Sequence, residues 1–101
     1  MLYDIDIGYA LLATQRALLG EVTPNLRAVV IDLKIEGKSG KICFYYHGEI
    51  SEEDYDIASS AITEITAAFP VGYSFEEHIE RLDAPAKISF EGRLAYLRKE
   101  A

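Results

Sequence analysis

Two runs of strict alternation, set either side of a four-residue loop, constrain this chain more than any other feature. From Leu26 to Glu36, Val29, Ile31, Leu33 and Ile35 fall on one side of an extended backbone. Ala28, Val30, Asp32, Lys34 and Glu36 fall on the other, the period-two signature of a half-buried strand. Gly37-Lys38-Ser39-Gly40 reads as a hairpin loop. From Lys41 to His47 the alternation returns, with Ile42, Phe44 and Tyr46 on the core side and Cys43, Tyr45 and His47 opposite. One face of this hairpin has to be covered, and helical segments on either side of it can do so.

The first of these runs from about Ile5 to Leu19, with Asp4 or Asp6 as N-cap and Gly20 where a C′ glycine ends a helix. Ile5, Leu12 and Leu19 form one stripe and Ile7, Leu11 and Leu18 the next, which predicts a wide buried face. Ala10, Ala13 and Ala17 favour helix and permit close packing. Glu21 to Asn25 breaks the pattern, since the residue before Pro24 is driven out of the α region. The second helix opens at Ser51, where Ser51-Glu52-Glu53-Asp54 is close to a capping box and its acids complement the positive helix end. Tyr55, Ala58, Ile62, Ile65 and Phe69 mark its apolar face, Glu53, Asp56, Ser60, Thr63 and Glu64 its polar one, and Pro70 stops it.

Two further strands follow. In Phe75–Leu82, Phe75, Glu77, Ile79 and Arg81 share one side and Glu76, His78, Glu80 and Leu82 the other. Asp83-Ala84-Pro85 ends that strand, and after Gly92 the segment Arg93–Lys99 alternates again, with a short helix as the competing reading. The expectation is an α+β domain in the order α-β-β-α-β-β: a four-stranded antiparallel sheet with two helices on one face and the other face partly open to water.

At 101 residues the chain fits one domain. Half its residues are hydrophobic and 27% charged, an ordinary globular composition. No stretch approaches the roughly 20 apolar residues of a membrane span, and Met1-Leu2-Tyr3-Asp4 has no basic region. The lone Cys43 excludes an internal disulfide. These features point to the cytoplasm and to no membrane partner. The net charge is −7, unevenly placed: Glu49–Asp83 holds ten acids against the single base Arg81, a net of −9, and the remainder, with nine bases and seven acids, is +2. Such a field repels nucleic acid and attracts basic partners, although acids also serve simply to keep a small domain soluble.

Assembled chemistry is hard to find. Cys43 and His47 share a strand face four residues apart, about 13 Å in an extended chain and too far for a thiolate–imidazole pair. His78 could reach them only across strands. Glu76 and Glu77 point to opposite faces and cannot work as a pair. Glu77, between Phe75 and Ile79, could be half-buried with a raised pKa, but pairing with Arg81 is favoured. No phosphate-binding glycine loop or calcium loop is present in the sequence. No catalytic residue, cofactor or metal is therefore assigned, and the function expected is binding. Carboxylates with aromatic neighbours suit a protein interface, and the candidate contact residues are Asp32, Tyr45, His47, Glu49, Glu53, Asp56, Glu76, Glu77 and Glu80.

Three phrases carry a resemblance. They are Leu18-Leu19-Gly20-Glu21-Val22-Thr23-Pro24-Asn25-Leu26-Arg27-Ala28-Val29, Tyr45-Tyr46-His47-Gly48-Glu49-Ile50-Ser51-Glu52-Glu53, and Arg81-Leu82-Asp83-Ala84-Pro85 together with Tyr96-Leu97-Arg98-Lys99-Glu100. The chain resembles the CdiI-type immunity proteins of bacterial contact-dependent growth inhibition systems, over nearly its whole length. The resemblance implies a cytoplasmic antidote that binds the toxin domain of a CdiA-type secreted effector, often a nuclease, and blocks its active site. It carries over no binding residue, and it leaves open whether the chain is a monomer or a homodimer. The reading that rests on residues alone is a small acidic interaction or regulatory module.

Overall fold

The computed structural model describes residues 5–100. The elements follow the expected order: α1 (Ile7–Leu18), β1 (Leu26–Lys34), β2 (Ser39–Tyr46), α2 (Glu52–Ala67), β3 (Ser74–Arg81) and β4 (Arg93–Leu97). Asp6 caps α1, its carboxylate accepting the Tyr9 amide at 2.9 Å; Asp4, the other candidate, lies outside the described residues. Ser51 caps α2 by accepting the Asp54 amide at 3.0 Å.

The four strands form one sheet in the order β3-β2-β1-β4. β1 pairs antiparallel with β2 and with β4, but β3 lies parallel to β2. The sheet is therefore mixed and not all-antiparallel. The physical reason is α2: a helix between two strands carries the chain back along the sheet, so the strand that follows runs in the same direction as the one before, as parallel neighbours require. α1 lies over β1 and β4 and α2 over β3, both on one face.

The core between helices and sheet contains Leu26, Val29, Ile31, Ile42, Phe44 and Tyr46 from the hairpin and Ala58, Ile62, Ile65 and Phe69 from α2. Phe69 gathers Tyr9, Tyr73 and Phe75 around its ring at centroid separations of 5.2, 5.2 and 4.9 Å. The expected faces shift at two places. Tyr55 is half exposed, and Asp54 is buried beside it, where its carboxylate accepts the Thr23 hydroxyl at 2.9 Å and its backbone carbonyl accepts the Tyr46 hydroxyl. In α1 the buried residues are Ala10, Ala13, Thr14, Ala17 and Leu18, whereas Leu12 and Leu19 stand 47% and 76% exposed. The expected stripe of Ile7, Leu11 and Leu18 packs on the core together with the alanines, and Leu12 and Leu19 of the other stripe turn outward.

The second sheet face is less open than expected. β3 and β4 occupy opposite edges and run in the same direction, so residues 82–92 must cross two strands while returning along their length. That path is roughly 30 Å, and a segment of this length reaches about 36 Å when extended. The segment crosses the face that lacks helices and forms a strap. Arg27, 3% exposed, donates to the carbonyls of Leu82 and Ala86 at 2.6 and 2.9 Å and to the Glu100 carboxylate at 2.8 and 2.9 Å. Gly92 closes the strap in a conformation reserved for glycine, with φ +98°; a Cβ there would lie 2.5 Å from the Ile31 carbonyl. Beneath the strap Ala28, Val30 and Cys43 are buried.

Candidate functional site

The parallel register of β3 on β2 decides which candidate residues meet. Asp32, Lys41 and Glu76 lie abreast across β1, β2 and β3. The next rungs on that face are Val30, Cys43 and His78, then Ala28, Tyr45 and Glu80. The face opposite the helices thus joins Asp32, Tyr45, Glu76 and Glu80, as the alternation implied for a third strand adjacent to the hairpin. His78 stands between its two neighbours along the strand, Nε2 at 3.4 Å from Glu76 and Nδ1 at 3.9 Å from Glu80. Asp32 is 3.5 Å from the Lys34 ammonium.

The strap adds residues that sequence reasoning passed over. Glu91 joins Asp32, Lys34, Lys41, Phe75 and Glu76 around an open groove of about 560 Å³. Phe90 and Ser89 line a second, of about 300 Å³, with Lys41, Cys43 and Tyr45. Phe90 is 39% exposed beside Tyr45, and Leu97, on β4, is 59% exposed. A lone aromatic in the connection between the last two strands, followed closely by a glycine, was the available signal. Burial, reinforced by the Cys43 thiol and by Glu80, pushes the Tyr45 hydroxyl up to about 12, which keeps it a neutral hydrogen-bond donor.

Other candidates lie elsewhere. Glu53 and Asp56 are exposed on α2, in the helix layer, where Asp56 borders a groove of about 290 Å³ with Glu21 and Glu64. Glu77 points to the helix side of β3, away from Glu76 and Glu80, yet stays exposed because β3 is an edge. Its expected partner Arg81 instead donates to Asp83 at 3.0 and 3.1 Å. Glu49 is exposed and close enough to raise the Arg81 pKa, behind the larger effect of the Asp83 hydrogen bond. His47 stands at the exit of β2, where Nδ1 accepts the Ala84 amide at 3.0 Å and ties down the start of the strap. Asp83 completes that corner; the Arg81 guanidinium and the Gly48 amide, 2.7 Å away, hold its carboxyl down to about 2. The acids that crowd one stretch of sequence are therefore divided between two faces and a corner.

The register also sets His78 opposite Cys43. Burial raises the thiol pKa, the reverse of what a nucleophilic thiolate requires, and the imidazole nitrogens face the two glutamates. Among the described residues no three His, Cys, Asp or Glu side chains converge as metal ligands would. No helix of the described residues is long and apolar enough to cross a membrane. What the arrangement offers is a mostly acidic surface with aromatic side chains set into it.

A search of the curated proteins finds no significant match. Residues 8–100, however, match the model of a family described as MafI2 immunity protein. This agrees with the immunity protein of a toxin system anticipated from the three phrases, and its Maf type is distinct from the CdiI type they suggested. With all but the two ends of the sequence inside the matched region, the chain belongs to the MafI2 immunity protein family.

Proposed function

We propose that this chain neutralises the toxin domain of a secreted effector, of the CdiA kind or a counterpart of it, by plugging a basic nuclease cleft with its strap-crossed sheet face. It acts in the cytoplasm by binding and performs no reaction of its own. The observation that carries this reading is the gathering of Glu76, Glu80, Asp32 and Glu91 beside Tyr45 and Phe90. A nuclease cleft is built to take polyphosphate, so a fixed array of carboxylates on a sheet can compete for the same cations. Aromatic side chains next to that array supply the apolar contact that charge alone lacks.

The test is co-expression with the cognate toxin domain, scored by cell survival and co-purification. Glu76→Lys with Glu80→Lys is expected to weaken binding by about 100-fold or more, and Lys38→Glu, at the hairpin tip, by less than about threefold. Equal losses from the two would remove the sheet face from the interface. Association should also slow steeply as salt rises, and a salt-independent rate would remove the electrostatic part of the reading.

A further inference from the structure

We infer that the free edge of β3 takes up an extended, Lys/Arg-rich segment of the toxin domain as a fifth strand of the sheet. The inference rests on the toxin-binding reading above and adds to it the means of attachment.

The backbone geometry is specific. The Ser74 amide donates to the Lys38 carbonyl at 3.0 Å and the Leu82 amide to the Tyr46 carbonyl at 2.8 Å, so both ends of β3 turn the same parity toward β2. The pairing between them has no register shift. In an extended strand, amide and carbonyl of one residue point the same way and alternate along the chain. The even-numbered residues of β3 therefore bond to β2, and Phe75, Glu77, Ile79 and Arg81 aim their amides and carbonyls at the free edge. Among the described residues nothing pairs with that edge. It is eight residues long and has neither proline nor bulge. The opposite edge strand, β4, has five residues and an irregular register on β1.

Charge identifies the occupant. Glu76 and Glu80 flank the edge on one face and Glu77 on the other. A second copy of β3 would set these carboxylates against their own kind, the usual defence of an exposed edge against self-pairing. A strand carrying Lys or Arg on both faces meets the Glu76 and Glu80 carboxylates on one side and Glu77 on the other while its backbone completes the ladder.

Proline separates backbone from side chain. The Glu77 amide is not used within the fold, so Glu77→Pro removes an outward donor while leaving the bonds to β2 in place. With the cognate toxin domain as probe, Glu77→Gln removes only the charge, and Glu77→Pro, which loses the outward amide as well, should weaken binding by about tenfold or more beyond the loss seen for Glu77→Gln. Amide-resolved hydrogen exchange of the wild-type chain needs no variant: the amides of residues 75, 77, 79 and 81 should become protected only in the complex. It decides the question alone if thermal melting shows that Glu77→Pro has lost its fold. A toxin that binds wild type and proline variant equally, with those amides still exchanging, overturns the edge and leaves the proposed function standing. A wild-type chain that neither protects cells nor binds the toxin overturns both. Concentration-dependent protection of the same amides in the free chain would mean that a second copy is the occupant, and would overturn the choice of a basic toxin segment.

Discussion

Arg27 is placed by backbone irregularity. By simple alternation it would share the core side with Val29 and Ile31, but the β1–β2 register shifts between Leu26 and Ala28. Such a bulge re-aims a side chain, and the guanidinium turns to the strap, bonding Leu82 and Ala86 there and, by two hydrogen bonds, Glu100 beyond β4. A buried guanidinium is tolerated only when paired, and Glu100 is the partner. The Arg27 hydrogen bond, helped by Arg98, holds the Glu100 carboxyl down to about 2 from an ordinary value near 4.5. Asp83 is lowered to about 2 from 3.8. Because both folded-state values lie below the ordinary ones, their contribution to stability is complete above about pH 4.5 and is lost as pH falls toward 2. The melting temperature should therefore drop across that window, and Glu100→Gln should flatten part of the drop. Parallel profiles for the two proteins would show that the Arg27–Glu100 pair does not couple folding to protons. Arg27 was legible only as a charge at an apolar parity; that it bonds the strap was not, since the bulge is invisible in one strand alone.

At the scale of elements, short-range pattern was reliable and long-range pairing was not. The hairpin and both helix starts follow from period and caps, because the interactions that decide them lie within a few residues. Strand direction is different: β3 alternates alike whether parallel or antiparallel, and only its long separation from β2 by α2 hinted at the answer. The buried face of α1 shows a second limit. Of the two stripes at heptad spacing, Ile7, Leu11 and Leu18 pack on the core, whereas the place of Leu12 and Leu19 is taken by Ala10, Ala13 and Ala17. Thr14 fits among them because its hydroxyl donates to the Ala10 carbonyl at 2.8 Å. Ala10→Leu is therefore expected to cost about 1–3 kcal/mol by overpacking, while Leu12→Lys changes stability by less than about 0.5 kcal/mol. Urea unfolding of the two variants checks this, and the reverse ranking would put Leu12 on the buried face in place of Ala10.

Across the whole molecule, the acidic excess between Glu49 and Asp83 runs through a loop, a helix and an edge strand in turn, so folding disperses it. Linear charge density was legible; its division between faces depends on topology. Topology also sets how the molecule breathes. The hairpin, α2 and β3 form a continuous block of near neighbours in sequence, whereas β4 reaches β1 only through the strap. Strap and β4 can therefore detach as one cooperative unit while the block persists. The protein carries its own reporter of that event, because Cys43, its only thiol and 8% exposed, lies under the strap. Its reaction with a thiol reagent should proceed by partial opening and depend weakly on denaturant. Gly92→Ala, which forces a Cβ against the Ile31 carbonyl, should speed it at least about tenfold. A labelling rate that tracks global unfolding in both proteins would mean that the strap and the block open together. Otherwise the strap is a hinged cover: the thiol behind it is reached by the swing of one segment while the rest of the sheet stays closed.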